Sequence, residues 1–214
     1  SIILLVGIIP CVFICIATGS NFQRFSQQAQ AEKIKSGMAS VEEIAAALDS
    51  DDYSTRFWAV QELKKRGPNA KPAVLALAGT LNDPRLAVDA TQVLAAIGPD
   101  AKPAISALVE TIKREQHHSR AEDGGDGPSL LSWQAGKALT KIGPASIPEL
   151  ITLLDHDSRY VQMTAADALG DLGTAASDAL PALQRHTNDE SEPMRRRTQV
   201  AIDRIEGRRP VSPF

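Results

Sequence analysis

The chain has 214 residues, 23% of them charged, a formal net charge of −3 and an aromatic content of only 4%. That balance argues against a nucleic-acid binder and against a disordered acidic tail, and few aromatics beside abundant Ala and Leu argue against a β-sandwich. Both cysteines, Cys11 and Cys15, fall in the first apolar run, so everything after it lacks a disulfide, a thiolate nucleophile and a Cys-based zinc site.

Residues 2–18 read IILLVGIIPCVFICIAT, without a charge or an amide side chain. This length lies near the short end of a membrane span. The expectation is an N-terminal hydrophobic helix over 1–20 that tethers a single-pass membrane protein. The small residues Ala17, Thr18 and Gly19 leave open a cleaved signal peptide, which would make the protein exported or periplasmic. The side of the membrane that holds the rest of the chain stays open. Residues 21–40 are polar and rich in Gln and Ala, and read as a partly helical stalk.

From residue 41 the chain repeats itself. Gly67, Gly98, Gly143 and Gly173 each close an apolar helical run, at intervals of 31, 45 and 30 residues. The long interval is one period plus a polar insert, which sets a loop over 115–129. Four residues before each glycine stands Leu63, Leu94, Leu139 or Leu169, and eight before stands Ala59, Ala90, Ala135 or Ala165. Offsets of four and eight share one helical face. After three of the glycines comes Pro68, Pro99 or Pro144, then Pro72, Pro103 or Pro148. Glycine followed by proline is a helix stop, and the second proline suits the first turn of the next helix.

Each unit is thus helix, tight turn, helix. First helices are expected near 53–66, 84–97, 130–142 and 159–172, and second helices near 41–48, 72–81, 103–114, 147–154 and 178–187. The acidic links LDSDD, LNDP and LDHDS supply N-caps. A last helix over 192–206, rich in arginine, suits a terminal cap, although Arg209 stands where the pattern expects glycine. The predicted fold is all-α: a right-handed α-solenoid of about four to five helix pairs over 41–209, followed by a short tail, 210–214.

The stretch Asp83–Ala90, the run Leu94–Gly98 and the run Leu169–Gly173 resemble HEAT repeats, especially the short bacterial repeats similar to those of phycobilisome lyases. The resemblance implies first helices on the convex side and second helices on a concave binding side. By position it nominates Lys71 and Lys102, with the paired Asn69 and Asp100, as partner-binding residues. Ile147 and Ala145 break both ladders in the third copy.

The resemblance also implies function. The leading expectation is a membrane-tethered or exported scaffold that binds a protein partner, with no cofactor, no metal, no small-molecule substrate and no nucleic acid. The alternatives are a phycobilin-lyase-like enzyme or enzyme-associated factor, and a nucleic-acid-binding HEAT-like protein. His117 and His118, with Glu122, Asp123 and Asp126 nearby, offer metal-ligating groups. Adjacent histidines do not share a helix face, however, and a flexible loop accounts for that segment better. Trp58 and Trp133 fall beside the core-facing alanines and are expected in the inter-repeat packing. No local catalytic motif appears, so no catalytic residue is named.

Overall fold

The computed structural model describes residues 19–114 and 127–208. Among these there is no strand; helices run in antiparallel pairs, each pair leaning on the next. In chain order they are α1 (Gly19–Lys35), α2 (Val41–Ala47), α3 (Tyr53–Arg66), α4 (Val74–Thr80), α5 (Ala87–Ile97) and α6 (Ile105–Arg114). Beyond the insert follow α7 (Leu130–Ile142), α8 (Ile147–Leu154), α9 (Arg159–Leu172), α10 (Leu180–Gln184) and α11 (Glu192–Ile205).

Burial explains the repeat. Ala59, Ala90, Ala135 and Ala165 are all fully buried, as are Leu63, Leu94, Leu139 and Leu169. The alanines let neighbouring helices approach and the leucines fill the space beside them. Burying a leucine contributes about 1.5–3 kcal/mol, so the four leucine positions together form a large share of the core. The second helices close it from the other side with Leu77, Leu108, Leu150 and Leu183, none of them exposed.

The corners between paired helices depend on glycine. Gly67, Gly98, Gly143 and Gly173 have φ of 54°, 70°, 92° and 59°, and at each the chain leaves the first helix. At Gly143 ψ is −153°, a region that side-chain-bearing residues avoid. In the first two copies the prolines that follow do not enter an α-helix directly, whereas Pro148 sits in the first turn of α8. Gly67–Ala73 and Gly98–Ala104 form 3-10 turns, and Gly173–Ala179 does so without prolines. The helices α4, α6 and α10 therefore start two residues later than the spacing predicts, whereas α8 starts at Ile147 as expected. The start of α5 also slips, because Asp83–Leu86 forms a turn before the helix.

The ends of the array differ from the sequence reading. Within the segment read as a stalk, α1 packs on α3 and buries Ala31 and Ile34. It ends at Gly37, with φ of 73°, thirty residues before Gly67. The period thus reaches back one unit further. It is hidden in the sequence because Lys33 stands where the other first helices carry leucine. At the far end α11 closes at Gly207, φ 71°, rather than at Arg209.

One expectation is corrected. A single-pass membrane location is not supported, because no described helix is long and apolar enough to cross a membrane. The first described helix, α1, is 17 residues long and carries Asn, Gln, Ser and Lys throughout. The apolar run 2–18, the histidines at 117 and 118 and the tail 210–214 lie outside the described residues.

Candidate functional site

The links between pairs are held by a recurring clamp. Arg56 donates to the carbonyls of Ser50 (2.7 Å) and Asp51 (3.1 Å). Arg195 does the same to Asp189 (2.6 Å) and Glu190 (3.0 Å). Gln162 takes the equivalent place in α9 and donates to His156 O at 2.7 Å. Each of these residues sits four positions after its N-cap, Asp52, Ser191 or Ser158. From the second helices, Arg114 reaches back to Leu81 O (2.8 Å) and Arg185 to Asp155 (2.9 Å). Much of the arginine content is therefore structural stapling.

Carboxylates at these links are tuned by their partners. Hydrogen bonds from the Thr55 hydroxyl and backbone N–H hold Asp52 below the ordinary aspartate range. Burial pushes Asp83 upward, but the Arg56 hydrogen bond, the Arg85 N–H and both guanidiniums outweigh it and leave Asp83 lowered.

The four nominated residues lie on the turns that open α4 and α6, and all are exposed. Lys71 pairs with Asp100 at 3.0 Å, with side chains 61% and 57% exposed, so part of the basic ladder is neutralised by its own neighbour. Lys102 and Asn69 stand apart from that pair. Leu75, one turn on from Lys71, is 73% exposed.

The opposite face, formed by the first helices, was not singled out from sequence. Between residues 26 and 208 every described aromatic side chain lies there: Tyr53, Phe57 and Trp58 on α3, Trp133 on α7 and Tyr160 on α9. Trp58 is half-buried as expected, edge-on to Phe57 and beneath Lys35. Trp133 departs from expectation and is 45% exposed, with Leu130 one turn away at 53%.

An ion-pair network crosses this face. Lys64 of α3 meets Asp89 of α5 at 2.9 Å, and Gln61 donates to the same carboxylate. Asp171 of α9 accepts from Lys137 of α7 at 2.5 Å and from Arg204 of α11 at 2.7 Å, tying three successive first helices together. Asp167, one turn earlier, pairs with Arg197 of α11. Burial raises Asp167 above its ordinary pKa although Arg197 opposes the shift.

The first helices lie very close here. A Cβ placed on Gly170 would come within 2.9 Å of Ala201 Cα, and one on Gly136 within 2.9 Å of the Thr164 methyl. Beside Gly136 a buried hydrogen bond, Ser132 to Thr164 at 3.0 Å, joins α7 to α9. Nothing in the repeat pattern announces these pairings, because they depend on which helix faces turn toward solvent. The described residues contain no group of three or more His, Cys, Asp or Glu placed to hold a metal ion.

Stacked antiparallel helix pairs with buried Ala–Leu seams and glycine corners define an α-solenoid. Residues 125–202 match the family described as HEAT repeats. These findings do not show the narrower similarity to phycobilisome lyases.

Over 84 residues the chain is 36% identical to the deoxyhypusine hydroxylase of Eremothecium gossypii, covering 37% of this chain and 26% of that protein. The chain therefore spans about a quarter of that relative's length. Among solved structures it is similar to an engineered protein, with 20% identity, a TM-score of 0.45 and coverage of 92% of this chain and 95% of the other. It is also similar to a designed armadillo repeat protein in complex with the peptide (KR)4, with 15% identity, a TM-score of 0.46 and coverage of 89% and 95%.

Proposed function

We propose that the chain is a HEAT-repeat scaffold that binds another protein, and that the first-helix face is the surface that does so. The observation that carries this reading is the placement of every described aromatic side chain between residues 26 and 208 on that face, with Trp133 and Leu130 half-exposed. Tryptophan, tyrosine and arginine dominate the energetics of protein interfaces. A stack of repeats buries one continuous core and leaves such a face free along its length.

The close approach of α7, α9 and α11 supports the same choice. In a bent stack, the layer with the shorter spacing lies inside the bend, where an extended partner touches several repeats at once. The test is photo-crosslinking from full-length chain carrying a photoreactive side chain at position 133 or at position 75. Adducts from position 133 and not from 75 are expected. Adducts from position 75 alone would overturn the face assignment.

A second reading rests on Leu75, exposed beside Lys71 on the other face. There, charge reversal at Lys71 and Lys102 would abolish partner capture, while Trp133→Ala would leave it unchanged.

A further inference from the structure

The C-terminal half of the first-helix face is chemically different from the rest. On α7 the residues Leu130, Trp133, Lys137 and Lys141 recur at helical spacing and form one outward stripe. On α9 the outward stripe is Asp167 and Asp171. On α11 it is Arg197 and Arg204, with Arg196 at the rim. A cationic row thus flanks the two carboxylates on either side.

Both carboxylates are occupied. Asp171 is held between Lys137 and Arg204, and Asp167 is held by Arg197. Lys141 and Arg196 are exposed and have no ion-pair partner among the described residues. The cations therefore outnumber the carboxylates and the face keeps a local positive excess, although the chain as a whole is acidic. The acidic links carry the opposite sign at Asp49, Asp51, Asp155 and Asp157.

Apolar contact and charge coincide on this face. Lys137 Nζ lies 5.5 Å from the centre of the Trp133 ring, so the ammonium and the indole present one combined surface. A shallow hollow between α7 and α9 is lined by Trp133, Lys137, Thr164, Asp167 and Asp171.

From this placement we propose that the α7–α9–α11 face binds an acidic peptide segment of a protein partner. A large apolar side chain of that segment would rest on Leu130 and Trp133, and its carboxylates would pair with Lys141 and Arg196. This rests on the first-helix face being the binding surface. A peptide is favoured over nucleic acid because Asp167 and Asp171 line the hollow, where a continuous phosphate backbone would meet them. A peptide can place its acidic groups on the flanking rows and its apolar group between them.

The test uses full-length chain and fluorescence anisotropy with three short labelled probes. These are a Glu-rich peptide with a central Phe, the same peptide with Lys replacing Glu, and a single-stranded oligonucleotide of matching charge. The acidic probe should bind, and weaken as salt is added. Lys141→Glu combined with Arg196→Glu should weaken it about tenfold, and Trp133→Ala about thirtyfold. Lys71→Glu combined with Lys102→Glu should leave it within about twofold, as expected of charges on the other face. All these residues are exposed, and unchanged circular dichroism confirms that each variant is folded.

No binding of the acidic probe, tighter binding of the Lys probe or of the oligonucleotide, or equal loss in the Lys71 and Lys102 variant would each overturn the proposal. If the acidic probe fails while position 133 still crosslinks to a protein, the acidic-peptide occupant falls and the scaffold reading stands. If position 133 yields no adduct either, both fall.

Discussion

The two layers of this solenoid come from the same repeat but solve different problems. The first helices bury a small residue at every seam, come within backbone contact at Gly170 and Ala201, and are laced by ion pairs on their outer side. The second helices are shorter, from α4 onward begin from 3-10 turns, and keep their glycine in open space: a Cβ on Gly79 of α4 would meet nothing within 4 Å. The difference teaches that tight packing and chemical diversity go together here. The layer whose backbones are held rigidly also carries the aromatics and most of the crossing charge.

Substitutions can break that comparison. Gly170→Val should be the most damaging, because the added atoms meet backbone that cannot yield; a loss of about 3 kcal/mol is expected in urea denaturation. Leu139→Ala should cost a similar amount, about 2–5 kcal/mol, as a cavity in the same layer. Gly143→Ala tests the corner instead. Space is free there, but φ of 92° is not open to alanine, so about 1–3 kcal/mol should be lost. Gly79→Ala should have the opposite sign and stabilise by about 0.5–1 kcal/mol through helix propensity alone. If Gly79→Ala and Gly170→Val shift the urea midpoint in the same direction, the two layers are not packed as differently as described.

Smaller effects sharpen the contrast between kinds of charge. Asp52→Ala removes the N-cap of α3 and should cost about 1 kcal/mol. Since Asp52 is held below its ordinary pKa, its contribution is fully present above the unfolded value, roughly pH 4, and is lost as pH falls through the folded one. The variant should therefore lose less stability than the parent on acidification. Asp167 works the other way: burial raises its pKa, so its ionised form costs stability at neutral pH and that cost is relieved as pH falls through the raised value. Smallest of all is Lys71→Ala. It removes only an exposed pair, and less than about 0.5 kcal/mol should change.

Much of the fold was legible because its determinants are local and repeated. The Leu–Ala–Gly spacing located α3, α7 and α9 to the residue, and its leucines and alanines prove fully buried; the proline spacing did the same for α8. What the spacing could not supply was the start of the array, where Lys33 replaces the marker leucine, and the 3-10 geometry of Gly67–Ala73 and Gly98–Ala104. The candidate site was legible only in part. Lys71 and Lys102 are equivalent by position, yet their pairing with neighbours depends on how the turns sit against one another. The exposure of Trp133 depends on the rotation of α7 against α9, which Gly136 and the Ser132–Thr164 bond set together. Neither has a signature in one-dimensional periodicity.

The glycine corners have a consequence for how this molecule changes over time. Each encloses a pair that touches only its neighbours and begins and ends in the same geometry. A duplication or deletion that respects the corners lengthens or shortens the rod by one whole step and leaves every remaining seam as it was. Growth by increments of about thirty residues is cheap for such a chain, whereas adding or removing a few residues inside a helix throws the face out of register.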